Sequence, residues 1–102
     1  LNLELPSGLW AGYYEQHKRR HPQQATLEFA DGLIRGDGVD GLGLFRIEGE
    51  YRVEPTEVRL GWIKTYEGAH SVLYLGRLEE QAIVGHYNLQ GLRGGFALEP
   101  VR

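Results

Sequence analysis

The clearest order in the chain is an alternation of apolar and polar positions. Between positions 45 and 53, Phe45, Ile47, Tyr51 and Val53 share one parity, and Arg46, Glu48, Glu50 and Arg52 share the other. A period of two sustained this long marks a strand with one buried and one wet face. The wet face also alternates in charge sign, which suits opposite-charge pairing with neighbouring strands. Leu27-Glu28-Phe29 repeats the pattern on a smaller scale. Strand-like segments are expected at about 8–16, 24–31, 33–37, 44–53, 57–66, 70–78, 82–90 and 93–99. The gaps hold turn residues: Asp31-Gly32, the glycine-rich 36–43 stretch, Glu54-Pro55-Thr56, Glu67-Gly68-Ala69, Glu79-Glu80-Gln81 and Gln90-Gly91. Gaps so short join antiparallel neighbours and leave no room for crossover helices. No stretch combines helix caps with a helical period. A meander of eight strands has two open edges unless it closes, and closure gives a barrel wide enough for side chains or one small ligand. The expected fold is all-β: a closed antiparallel up-and-down barrel of about eight strands. It forms a single domain over 1–102, with 1–7 as an extended N-terminal tail.

Glycines refine this picture. Gly12, Gly49, Gly61, Gly76, Gly85 and Gly94 interrupt otherwise good strand patterns. Several lie two residues from an aromatic, as in Trp10/Gly12/Tyr14, Gly49/Tyr51, Tyr74/Gly76 and Gly85/Tyr87. Positions two apart share a face, so rings lying over bare backbone are expected there. The sixth strand is ambiguous because both its faces are apolar. His70, Val72 and Tyr74 form one, and Ser71, Leu73 and Leu75 the other. Either way an apolar stripe faces outward, beside Val84 and His86 if Val72 and Tyr74 point in. That predicts self-association into a dimer or tetramer, or docking onto another domain.

Composition removes several function classes. Cysteine is absent, so disulfides, zinc-thiolate sites and thiol nucleophiles are excluded, and a cytoplasmic setting fits. Methionine is absent even at position 1, which points to a chain processed or cut from something longer. The formal charge is −3 with both signs interspersed, not a nucleic-acid footprint. The basic run Lys18-Arg19-Arg20-His21 before Pro22 is read as a solvated hairpin loop in preference to a phosphate or membrane patch. No apolar run approaches the roughly 18 residues that cross a bilayer. No nucleic-acid or membrane partner is expected.

The densest set of hydrogen-bonding and aromatic groups is Trp62, Lys64, Tyr66, His70 and Ser71 around the turn after the fifth strand, and Tyr87 is the remaining candidate for ligand contact. One reading makes it a barrel-mouth site for an anionic or carbonyl-bearing ligand: Lys64 supplies charge, Tyr66 and His70 directed donors, and Trp62 an apolar wall. The other makes it a hairpin whose polar groups satisfy backbone and cap the barrel end. Tyr66 and His70 could support acid–base chemistry, but no nucleophile, metal shell or oxyanion hole stands beside them. His17, His21, His70 and His86 lack ligand spacing, so no metal site is expected. Arg35-Gly36-Asp37 and the Gly36–Gly41 run read as turn and loop, since a calcium loop would need further carboxylates where Val39 and Gly41 stand.

Taken in order, these segments resemble the calycins, the superfamily of lipocalins, fatty-acid-binding proteins and avidins, and within it the avidin and streptavidin fold. Gly8-Leu9-Trp10 resembles the Gly-x-Trp of a first calycin strand. Ala30-Asp31-Gly32-Leu33-Ile34-Arg35-Gly36 is similar to the avidin second turn and third strand. Phe45 to Tyr51, ending Glu48-Gly49-Glu50-Tyr51, resembles the fourth strand. Leu60-Gly61-Trp62, Tyr66, Ala69-His70-Ser71 and Gly76 resemble strands five and six, and Ile83 to Tyr87 the seventh. The likeness stops at the biotin site. Where avidins hold the ureido group with Asn, Ser, Tyr and Ser, this chain has Gly12, Gln16, Gly38 and Asp40. The lid tryptophans fall on Tyr66, Tyr87 and Leu92, and only Ser71 keeps a matching hydroxyl. The resemblance therefore implies the barrel without biotin, whose grip depends on many hydrogen bonds made together. The leading expectation is a non-catalytic avidin-like binding or interaction barrel with no cofactor. The alternatives are a calycin-type carrier of a small organic ligand at the barrel mouth, and an enzyme using Tyr66 and His70.

Overall fold

Short turns fold the alternating segments back on one another until the last strand meets the first. The protein's structure is a computed structural model in which residues 5–102 are described. Its strands are β1 (Gly8–Gln16), β2 (Arg19–Ala30), β3 (Leu33–Asp40), β4 (Gly43–Val53), β5 (Val58–Tyr66), β6 (Ser71–Glu79), β7 (Ala82–Leu89) and β8 (Leu92–Pro100). Each pairs antiparallel with its sequence neighbour, and β1 pairs with β8 from Trp10↔Pro100 to Tyr14↔Phe96. This is the expected closed up-and-down barrel. Among the described residues no helix is long and apolar enough to cross a membrane.

Two boundaries correct the sequence reading. Lys18-Arg19-Arg20-His21 is not a loop. The turn is only His17-Lys18, both at positive φ (52° and 62°), and β2 begins at Arg19. Such a two-residue turn matches the twist of a hairpin, here without the usual glycine or asparagine. Pro22 is tolerated inside β2 because the pairing with β3 begins only at Gln23↔Asp40. The second correction is the 36–43 stretch, most of which belongs to β3 and β4. The turn between them is Gly41-Leu42, held by Asp40 Oδ1 accepting from the Leu42 amide at 2.8 Å.

Strand glycines do serve aromatic rings, but the ring comes from the partner strand, not from two residues along. The register pairs Gly38 with Phe45, Gly49 with Trp62, Gly85 with Phe96 and Gly94 with Tyr87. At Gly49 a Cβ would strike the Gly61 carbonyl and lie 2.6 Å from both Cα and Cβ of Trp62. All of these are fixed by the sheet. Gly49→Ala should therefore lower stability by about 1–3 kcal/mol, as overpacking does, and shift the urea midpoint accordingly. An unchanged midpoint would mean the strand pair is looser than the register requires.

Pairing also settles β6. Val72 and Tyr74 stand opposite Lys64 and Trp62 and point in, so Ser71, Leu73 and Leu75 point out. The interior holds the buried rings of Trp10, Tyr14, Phe45, Trp62, Tyr66, Tyr74, Tyr87 and Phe96, with Leu27, Ile34, Ile47, Leu60, Ile83 and Leu98 between them. Of the expected tail over 1–7, residues 1–4 lie outside the described residues, and residues 5–7 pack at one end. Trp10 Nε1 donates to the Pro6 carbonyl at 2.9 Å, the Phe29 amide donates to Ser7 Oγ at 3.1 Å, and Leu5 lies against the core.

Candidate functional site: a charged centre inside the barrel

Strand parity places Lys64 between Trp62 and Tyr66 on the inward face of β5. Its side chain is fully enclosed, and so is that of Asp40 at the end of β3. Lys64 Nζ lies 2.5 Å from Asp40 Oδ2, donates to Gln23 Oε1 at 3.0 Å, and reaches the Tyr74 hydroxyl at 3.4 Å. Tyr66 donates its hydroxyl to the same Asp40 oxygen at 2.5 Å. Phe45 turns its ring face to the ammonium at 4.2 Å, and Tyr14, Tyr66 and Tyr74 stand at 5.1–5.3 Å. An enclosed charge persists only when it is paired and its remaining hydrogen-bonding sites are filled. Here the partners come from β2, β3, β5 and β6, so the centre ties four strands together.

Burial dominates the ionisation of this centre. It pushes Lys64 below its ordinary value, while the hydrogen bond and charge of Asp40 pull the other way. Burial likewise raises Tyr66 and Tyr74, with the Asp40 carboxylate adding to the shift in each. Tyr14 is raised by burial and then by Asp40, and Tyr87 by burial and then by Glu15. All four phenols are therefore neutral hydroxyls at physiological pH. Tyr87 donates its hydroxyl to the Glu15 carbonyl at 2.6 Å.

The six residues singled out from sequence fall into different places. Lys64 and Tyr66 meet at Asp40. Trp62 reaches this centre through Tyr74, on which it stacks at 5.5 Å and 11°. Its Nε1–H is buried without a hydrogen-bond partner among the described residues. Tyr87 shares the aromatic core, 5.8 Å from Tyr74 and 6.0 Å from Tyr14. His70 is exposed above the rim with its ring 5.0 Å from that of Tyr66. Ser71 lies on the outer wall, hydroxyl to hydroxyl with Thr65 at 3.0 Å, so the avidin likeness that would turn it inward does not hold. Sequence reasoning did not assemble Asp40, Gln23, Tyr74, Tyr14 and Phe45 around Lys64. The usable signal was parity, which puts a lysine between two inward aromatics and so demands a buried acid.

Chemically the centre is spent on itself: Lys64 and Tyr66 already share Asp40 as their acceptor, and neither charge meets solvent. Among the described residues no three His, Cys, Asp or Glu side chains are grouped to hold a metal. Of the positions that answer the ureido contacts of avidins, Gly12 has no space for a side chain, because a Cβ there would strike the Ala97 carbonyl. Asp40 is committed to Lys64, Tyr66 and the Leu42 amide. Open space lies on the outer wall instead. One groove of about 930 Å³ runs across β4–β7 past Ile63, Leu73 and Leu75. The chain matches no family model, no curated protein and no solved structure.

Proposed function

We propose that this chain is a non-catalytic, avidin-like interaction module that assembles with copies of itself through the outer faces of β5 to β7, and that it does not bind biotin. The observation that carries this reading is an apolar row outside a barrel already filled by its own side chains. Ile63 and Leu73 are register partners, with Leu75 two residues on, and they are 42%, 39% and 58% exposed. Each forgoes part of the roughly 1.5–3 kcal/mol that full burial of such a side chain returns.

A second copy fits the flanking charges. Glu48 and Glu50 border the row on β4, while His86 and Arg93 lie beyond it on β7 and β8. A two-fold axis along β6 carries the carboxylate side of one copy toward the basic side of the other, and an isologous pairing then closes. Sedimentation should show a dimer or tetramer at high micromolar concentration. Leu73→Glu with Leu75→Glu should give a monomer of unchanged strand content, weakening association by at least about 100-fold, as loss of two central anchors does. A clean monomer before substitution would overturn the reading.

A further inference from the structure

Across the outer wall, charges that stand opposite each other in register obey one rule with one departure. Glu15↔Arg20, Glu28↔Arg35, Arg35↔Glu48 and Asp37↔Arg46 all pair opposite signs. The departure is a single row over β4, β5 and β6, where Arg52 stands opposite Arg59 and Arg59 opposite Arg77. Like charges directly opposite one another oppose folding, so a row of three is kept against the local preference of the sheet. A broken local rule of this kind marks a place where something other than stability is served.

Glu54, Glu57 and Glu79 match the row in formal charge but hold it only through solvent-facing contacts. Arg59 Nε lies 3.1 Å from Glu57 and 4.0 Å from Glu54, and one Arg77 nitrogen lies 3.4 Å from Glu79, with both arginine side chains more than half exposed. Such solvent-facing pairs are weak and exchange readily. The Arg52 side chain makes no hydrogen bond or ion pair among the described residues. Strands in a sheet stand about 4.8 Å apart, so the three guanidinium-bearing side chains leave the wall within about 10 Å of one another. Guanidinium forks match phosphate oxygens in pairs. Beside the row runs the groove on β4–β7, bordered by Leu75 and His86 and floored by the backbone of Gly61, Gly76 and Gly85. Glu48, Glu50 and Glu57 also line it, and they restrict an anion to the arginine side.

We infer that Arg52, Arg59 and Arg77 form a binding site for a small molecule carrying several linked phosphate groups. The inference does not rest on self-association, which uses Ile63, Leu73 and Leu75. The probe is inorganic triphosphate, followed by titration calorimetry and thermal unfolding at fixed ionic strength. Millimolar triphosphate should raise the unfolding midpoint by several degrees, and chloride at equal ionic strength should not. Arg52→Glu gives the row an alternating pair. It should raise the midpoint in the absence of triphosphate and weaken triphosphate binding by at least about 10-fold. Arg77→Gln should weaken binding in the same direction, while Arg46→Gln, outside the row, should leave it unchanged. Triphosphate acting no better than chloride would overturn the inference, and so would equal binding by the wild type and both row variants.

Discussion

Replacing Asp40 with alanine should destabilise the barrel by about 3–5 kcal/mol, the usual consequence of stranding one member of a buried ion pair. The substitution removes the acceptor of Lys64 and Tyr66 together and the cap of the Leu42 amide. Lys64 is then left enclosed with only Gln23, the Tyr74 hydroxyl and four aromatic faces. The cost arises from the unpaired charge more than from the lost bond, so removing the charge should restore stability. Lys64→Met combined with Asp40→Asn keeps an acceptor for Tyr66 and Leu42 and leaves no buried ion. This double variant should recover most of the loss, because apolar replacements of buried pairs are often neutral or better. Urea unfolding of the wild type and both variants decides it. A loss below about 1 kcal/mol for Asp40→Ala would place the pair in contact with solvent.

The second large effect is alkaline. Tyr14, Tyr66, Tyr74 and Tyr87 are all raised above the ordinary phenol value in the fold. Above about pH 10 the unfolded chain loses these protons and the folded chain keeps them, so stability falls with each further unit of pH. The slope can reach about 1.4 kcal/mol per unit for each such group. Lys64 acts in the opposite sense. Its value is lowered on folding, so the unfolded chain binds more protons between that value and its ordinary one, and stability rises across that window. The gain from one lysine ends near pH 10.5, where the losses from four tyrosines are growing. The thermal midpoint should therefore hold or rise slightly up to about pH 10 and then drop steeply, with tyrosinate absorbance at the four buried rings appearing only as the barrel unfolds. Titration of all the tyrosines near pH 10 in a barrel that stays folded would contradict this burial pattern.

Much of the barrel is legible in the chain because a half-buried strand writes its geometry as alternation, and the 44–53 segment needs little else. Three features escape for physical reasons. Gly36-Asp37-Gly38-Val39-Asp40 holds Val39 as its single strand-forming residue, yet it is strand, since Gly38 lies beneath the Phe45 ring and only a bare backbone fits there. That misreading hid Asp40 in a supposed loop, and with it the partner of Lys64. The turn at His17-Lys18 adopts positive φ without the residues that usually announce it, so Arg19–His21 reads as loop. The parity of β6 is undecidable from the strand alone, because Val72 and Tyr74 are as apolar as Leu73 and Leu75. Its register against Trp62 and Tyr87 decides it, and register is a property of three strands together. The row of arginines has the same character: each reads as an ordinary wet-face residue until pairing sets the three side by side.

Seven of the eight seams in this wall join strands that follow one another along the chain, and the eighth joins residues 10–14 to residues 96–100. The local hairpins can form early and fast, since little chain must be closed to make each one. The last seam must wait until the final strand exists. Until then β1 and β8 each present a row of unpaired backbone groups, the kind of edge on which strands of other molecules add. Trp10 is wholly enclosed in the finished barrel, but it lies on one of those edges. The interval between the emergence of β8 and closure of that seam is therefore when the chain is most exposed to aggregation, and a chaperone that shields one strand edge would protect the whole fold.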